Sequence, residues 1–344
     1  MSRWVVILAG GVGSRFWPLS TPRRPKQLLP LIDARPLLRN TVDRLAPLAD
    51  TAHTLILTNA SLVDPIHALI PELPRENLIA EPKPAGTAAA LAWAALEIAR
   101  RDGDDATMMS VHADWAIGDS EGFRAALLHA AEVAEREHAL VTVGVVPTRP
   151  DPGFGYIRPG EPLPSGGYTV AEFAEKPSRE RAVEMVRDGY LWNSGIFVWR
   201  VGDFLAEVRA HTPEVAPALE SSAHDIAAFF AAVISISVDV GVLERTSRVV
   251  VIPGNFGWDD VGTWEALLRV RERDPLGNAS NGPVYAVSAE NNVVHAEGSD
   301  VVLYGVNGLV VVARDGLTLV TTTERAADLK SLVDTLPSEL RNRP

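Results

Sequence analysis

The sequence predicts an α/β fold: a large domain built on a mostly parallel sheet, then a small C-terminal β-roll or β-helix domain ending in a helix. Three observations predict it. Short apolar runs alternate with longer helical patterns through the first two-thirds of the chain, as in sheets whose strands are buried on both faces. A dense cluster of turn residues then interrupts the rhythm, and beyond it come only short strands separated by Asn and Gly turns.

The elements follow in order. Val5–Ala9, Thr54–Thr58, Thr107–Val111 and Leu140–Gly144 read as buried strands, and Leu37–Leu45, Ser61–Leu69, Thr87–Arg101 and Glu121–Arg136 as helices. After Pro147, prolines 150, 152, 159, 162 and 164 lie among glycines and predict a loop-rich insertion. Strands are expected again at Tyr168–Phe173, Gly195–Trp199 and Arg248–Ile252. The turn cluster Arg273–Pro283 marks a boundary, giving domains 1–273 and 284–344. In the second, strands Val284–Val287, Val293–Ala296, Val301–Leu303, Leu309–Ala313 and Thr318–Thr321 precede a helix over Arg325–Leu336.

Composition removes several function classes. A formal charge of -12 over 344 residues argues against a nucleic-acid binder, which needs cationic surface to release counterions. With no cysteine there is no disulfide, thiolate metal site or cysteine nucleophile. The run Trp4–Ala9 is too short for a signal-peptide core, and Ala88–Ala99, interrupted by Glu97, falls short of a membrane span. A cytoplasmic protein without membrane attachment is expected. The histidines show no metal-ligand spacing.

Of 32 basic residues, only Lys26, Lys83, Lys176 and Lys330 are lysine. A retained lysine therefore asks whether a compact point charge is needed where it stands. Lys26 lies downstream of Ala9-Gly10-Gly11-Val12-Gly13-Ser14-Arg15, a glycine-rich loop at the end of the first strand. Glycines let successive backbone N–H groups approach phosphate oxygens. The dinucleotide fingerprint fails because Phe16 stands where its third glycine belongs, and the P-loop fails for want of Gly-Lys-Ser/Thr.

This loop, with Pro18-Leu19-Ser20 and Pro25-Lys26-Gln27, resembles the signature of the sugar-nucleotide pyrophosphorylases, and most of all the mannose-1-phosphate guanylyltransferases. The resemblance implies a Rossmann-like nucleotidyltransferase domain, GTP and mannose 1-phosphate as substrates, and Mg²⁺ as cofactor. It implies nucleotide binding by Ala9, Gly10, Gly11, Gly13, Ser14, Arg15, Lys26, Glu81 and Thr87, with Arg15 and Lys26 also catalytic. Two carboxylates would hold the metal. Asp114 follows a central strand, where α/β sheets place ligands. Asp260 lies in Trp258-Asp259-Asp260-Val261-Gly262, similar to the family's second metal motif; only motif register separates it from Asp259.

On the acceptor side the resemblance covers Phe173-Ala174-Glu175-Lys176-Pro177, Trp192-Asn193-Ser194-Gly195, the loop around Gly155, and Ser235–Glu244, where Asp239 is the implied pocket acid. It implies sugar-phosphate binding by Gly155, Glu175, Lys176, Asn193 and Asp239. The chain departs from the family after Glu81-Pro82, where Lys83-Pro84-Ala85 replaces the usual Arg-Asn-Thr, and at His112 and Trp115 around Asp114. The first change bears on base recognition.

Other classes remain as alternatives. Gly118-Asp119-Ser120-Glu121-Gly122 satisfies G-x-S-x-G, but a nucleophile elbow must leave a strand directly, and Ser120 is expected to cap a helix instead. Another sugar-1-phosphate nucleotidyltransferase (glucose 1-phosphate with dTTP or UTP) and a non-catalytic sugar-nucleotide sensor on the same fold are the remaining readings. The resemblance is compatible with a homodimer. Segment 284–344 leaves no room for the isomerase domain that some longer relatives append, so transferase activity alone is expected.

Overall fold

A computed structural model describes residues 2–11 and 13–341. The described residues form two compact units, each built from separate segments: Met1–Gly10, Arg44–His112 and Asp119–Phe256 in the first, Gly11–Asp43, Ala113–Gly118 and Gly257–Pro344 in the second. The chain thus changes unit inside the glycine-rich loop and again just before Asp114.

The first unit is organised on a sheet of β1 (Arg3–Leu8), β2 (Thr54–Asn59), β3 (Leu78–Glu81), β4 (Thr107–His112), β6 (Leu140–Val145), β7 (Gly155–Pro162), β8 (Tyr168–Glu175), β9 (Leu191–Arg200) and β10 (Val249–Gly254). Their order is β3-β2-β1-β4-β9-β6-β10-β8-β7. β1, β2, β3 and β4 pair in parallel, as do β6 and β10, while β9 inserts antiparallel between β4 and β6. The parallel α/β core matches the sequence expectation. Helix Gly86–Asp102 carries buried residues Ala88–Ala95 and Ile98 into the core with Trp4, Val6, Leu55 and Leu57.

Three local expectations are corrected. Gly155–Pro162, expected as a loop-rich insertion, is a strand paired with β8 and, through Gly155–Ile157, with β9. Its prolines are accommodated because the β7–β8 register slips at Arg158/Pro159 and again between Pro159 and Pro162, in the half of the strand that pairs with β8 alone. The helix after β4 is capped by Asp119 and not by Ser120: the Asp119 carboxylate accepts from the amides of Glu121 and Gly122 at 3.1 and 3.0 Å. The turn cluster before Pro283 holds a short strand, Ala279–Asn281.

The second unit contains β5 (Ala116–Ile117) paired antiparallel with β11 (Trp258–Asp259), and β12 (Ala279–Asn281), β13 (Val284–Val287), β14 (Val293–Glu297), β15 (Val301–Tyr304), β16 (Leu309–Arg314) and β17 (Leu317–Thr322). β12, β14 and β16 stack in parallel and β17 closes antiparallel on β16, while β13 and β15 form a separate parallel pair. The core of this unit brings Phe16, Trp17, Leu19, Leu29 and Leu31 together with Trp264, Val293, Val310, Val312 and Leu329. The segment after the glycine loop therefore folds against the C-terminal strands. Among the described residues, no helix is long and apolar enough to cross a membrane.

Candidate active site

The second unit holds the glycine-rich loop from Gly11 onward. Gly13 sits at φ +66°, and a Cβ there would lie 2.3 Å from the Lys26 Cβ, so the turn tolerates only glycine. The Ser20 hydroxyl donates to the Gly13 carbonyl at 2.6 Å, closing the loop on itself. Ser14–Phe16 forms one 3-10 turn that leaves Arg15 exposed and buries Phe16.

Lys26 is buried and its ammonium is engaged twice, with Asp114 Oδ2 at 2.9 Å and the Asp260 carbonyl at 2.6 Å. The β5–β11 pairing explains why these two distant loops meet: Ala116 opposes Asp259 in register, so residues just before the one strand and just after the other converge. Asp259 is committed elsewhere. Its carboxylate is buried, binds Arg269 at 2.7 Å and accepts the Val261 amide at 2.9 Å. Val261 has φ +47°, a rare conformation for a buried β-branched residue. Strain of this kind gathers where a neighbouring group must be aimed. Gly262 leaves room for the Asp260 carboxylate, since a Cβ there would come within 2.5 Å of Oδ2.

The first unit holds the other predicted residues. Ala9 donates its amide to the Leu57 carbonyl and accepts from the Thr58 hydroxyl, so the strand continues to the edge of the loop. Glu81 ends β3, and a Cβ on Gly10 would lie 3.6 Å from its Oε1. Burial raises the Glu81 carboxyl from an ordinary 4.5 to about 7. Thr87, expected to bind nucleotide, uses its hydroxyl oxygen to accept the Val238 amide at 2.9 Å. Beside it Gly86, at φ +80°, passes so close to Ile236 that a Cβ would fall 2.2 Å from the Ile236 carbonyl oxygen. The start of the helix is thereby fixed to the segment leading into Asp239.

Asp239 opens a π-helical turn, Asp239–Leu243, a rare geometry found mostly at functional sites. Its Oδ1 accepts from Asn193 Nδ2 at 2.6 Å. Burial raises its pKa, which the Asn193 hydrogen bond partly offsets; Glu175 adds a smaller upward push and His112 a downward one. Gly155 lies opposite both Glu175 and Asn193 in the sheet, and a Cβ there would come within 2.6 Å of Glu175 Oε2. Lys176, at φ +46°, is exposed and pairs with Glu175 Oε1 at 3.1 Å. The structure thus assembles Gly155, Glu175, Lys176, Asn193 and Asp239 as one group. It adds Glu244, whose carboxyl is raised first by burial and then by Asp239 and Glu175. Glu244 ended one of the family-like segments, so motif register was the signal that could have found it.

A mostly parallel sheet that ends its first strand in a glycine turn places the chain among α/β proteins, whose ligands gather at the carboxyl ends of strands. A nucleotidyl transferase family profile matches residues 4–275. Over 352 residues the chain is 36% identical to a mannose-1-phosphate guanylyltransferase of Salmonella muenchen, covering 98% of this chain and 74% of that protein. A solved structure from Thermus thermophilus, described as a mannose-1-phosphate geranyltransferase, superposes with a TM-score of 0.90 at 35% identity, covering 97% of this chain and 99% of that one. A Helicobacter pylori structure described as a mannose-6-phosphate isomerase follows at a TM-score of 0.62 and 25% identity, over 76% of this chain and 100% of that one. The chain belongs to the nucleotidyl transferase family, as a sugar-1-phosphate nucleotidyltransferase of the mannose-1-phosphate guanylyltransferase group.

Proposed function

We propose that the protein transfers GMP from GTP to mannose 1-phosphate, giving GDP-mannose and pyrophosphate. An oxygen of the sugar phosphate attacks the α-phosphorus in line. A new P–O–P bond forms, the bond to the α,β-bridging oxygen breaks, and pyrophosphate leaves with that electron pair. The nucleophile is already ionised, so no general base is needed; the task is to overcome repulsion between anions and to fix their geometry.

The observation that carries this reading is buried Lys26, whose stem lies against Gly13 and whose ammonium is held by the Asp114 carboxylate and the Asp260 carbonyl. It would stabilise charge at the α-phosphate and leaving group, while Arg15 and the loop amides bind the triphosphate. Glu81 supports guanine as the base. A carboxylate can accept from both N1–H and the exocyclic amine of guanine, whereas thymine and uracil offer a single N–H on that edge. Lys176 would bind the sugar phosphate, with Glu175, Asn193 and Asp239 reading hydroxyls from the backbone opening left by Gly155.

Asp114 and Asp260 fit a hard divalent cation. Both carry carboxylate oxygens, the Asp114 carboxylate and the Asp260 main-chain carbonyl meet at one ammonium, and Gly262 keeps space beside the Asp260 carboxylate. Mg²⁺ commonly takes one or two carboxylates and completes its shell with phosphate and water. Once bound, it would draw negative charge off the reacting phosphates. The Arg269 pair commits Asp259 to the fold and supports Asp260 as the ligand. The family match over 4–275 supports a catalytic domain of 1–273 to within two residues at its end, with 284–344 as the β-rich domain. We also take the protein to act in the cytoplasm, with a homodimer open to measurement.

The test is pyrophosphate release with Mg²⁺ across a matrix of nucleoside triphosphates and sugar 1-phosphates. GTP with mannose 1-phosphate should give the highest kcat/KM. A preference for dTTP or UTP with glucose 1-phosphate would replace the substrate assignment, and no turnover with any pair would favour a sensor.

A further inference from the structure

The segment that carries Lys26 is held on both sides by the C-terminal part of the chain, three times from strands and once from Arg271. Arg314, from β16, donates to the Leu19 carbonyl at 3.3 Å. Arg24 makes a two-point pair with Glu297 at the end of β14, both contacts at 3.0 Å. Past Lys26, Asn281 donates to the Pro30 carbonyl at 3.2 Å, and Arg271 donates to the Leu31 carbonyl at 2.5 Å. Four attachments therefore bracket one buried lysine.

Glu297 is the centre of this arrangement. Besides Arg24 it meets Arg314 Nε at 3.3 Å and the ring of His295 at 3.2 Å. Arg271 donates to His295 Nδ1, which leaves Nε2–H to donate to Glu297. These contacts, the His295 hydrogen bond first and Arg24 next, hold the Glu297 carboxyl down to about 2, so it stays ionised. Arg24 is itself rigid, because its backbone closes a turn with Thr21 through two 3.0 Å hydrogen bonds. Pro25 and Lys26 follow at once, and the Leu28 and Leu29 amides bond back to Pro25 and Lys26. A rigid turn whose side chain is fixed by a two-point ion pair fixes the residue two positions on. Preorganised electrostatic groups owe their catalytic value to being held in place before reaction.

We propose that Glu297, through Arg24, is a positioning residue for Lys26, making the C-terminal strands a platform for catalysis. The proposal rests on the catalytic reading of Lys26. Glu297→Ala and Arg24→Ala should each lower kcat for pyrophosphate release by about tenfold or more, with KM for GTP and mannose 1-phosphate unchanged within about twofold. The second readout needs no substrate. The chain has four lysines, so protein labelled with ¹³C at lysine Cε gives one signal for each. The Lys26 signal, assigned by its loss in Lys26→Ala, should move in both variants while those of Lys83, Lys176 and Lys330 stay in place.

An unmoved Lys26 signal would overturn the proposal, whatever kcat does. A moved signal with unchanged kcat would overturn the catalytic role of Lys26 itself, and the two failures are thereby distinguished. If Glu297→Ala does not give folded protein by circular dichroism, Arg24→Ala and Glu297→Gln provide the same pair of readouts.

Discussion

Lys26 and Lys176 carry the same ammonium and are both assigned to phosphates, yet their surroundings are opposite. The Lys26 side chain is 7% exposed, with two oxygen partners and an aromatic ring 6.0 Å away. Lys176 is 68% exposed and pairs with Glu175, the preceding residue. The first is ordered before any ligand arrives. The second gives up side-chain freedom only on binding, at a cost of up to about 2 kcal/mol. A preorganised charge can act on the transition state without rearrangement, whereas a mobile one acts chiefly through ground-state binding. The comparison therefore separates a kcat residue from a KM residue.

The largest expected effect tests the first half of that contrast. Lys26→Ala should lower kcat by about 10²–10³, equivalent to about 3–4 kcal/mol of transition-state stabilisation, with much smaller changes in KM. Steady-state pyrophosphate release measures it, and a kcat within threefold of the parent would remove Lys26 from the chemistry. Gly13→Ala sharpens the same point without touching a charge. The added Cβ must displace the Lys26 stem, and the turn must hold an L-residue at φ +66°. A loss of about 10–100-fold in kcat is expected; an unaffected kcat would mean that the lysine does not need this exact seat.

Lys176→Ala is the converse, with a smaller effect. KM for mannose 1-phosphate should rise about tenfold and kcat should hold within about twofold. Its Tm should not change measurably, because an exposed ion pair contributes little. A kcat loss as large as that of Lys26→Ala would erase the distinction between the two lysines.

The sheet was readable because parallel strands buried on both faces leave continuous apolar runs, as in Val5–Leu8 and Thr54–Leu57. β7 was not, because its prolines read as loop, and only the bulges and the one-sided pairing of its second half make them tolerable. The candidate site divides similarly. Lys26 and Lys176 drew notice by their rarity, and Asp114 by standing just past a strand. The bond from the Val238 amide to the Thr87 hydroxyl was not legible, since the two residues lie 151 positions apart. Glu297 carried no local signal at all. Its importance comes from Arg24, 273 residues earlier, and no pattern of neighbours in sequence encodes such a pair.

Glu81 is read through pH and not through turnover, and it belongs with neither lysine: it is half-buried and lacks a settled charge. Burial alone raises its pKa from 4.5 to about 7. A carboxyl whose folded value is raised keeps its full contribution to stability below the unfolded pKa and loses it as pH climbs toward the folded one. The stability of the free protein should therefore fall between pH 4.5 and 7 by at most about 3 kcal/mol from this group. Glu81→Gln should not show that component, so the variant should gain on the parent as pH rises through this window in urea unfolding. Guanine donors favour the ionised carboxylate, so GTP binding near pH 7 should release a fraction of a proton. Calorimetry in buffers of different ionisation enthalpy reads that release, and Glu81→Gln should abolish it. Equal proton release from the parent and Glu81→Gln would take Glu81 out of base recognition and leave GTP preference to other groups.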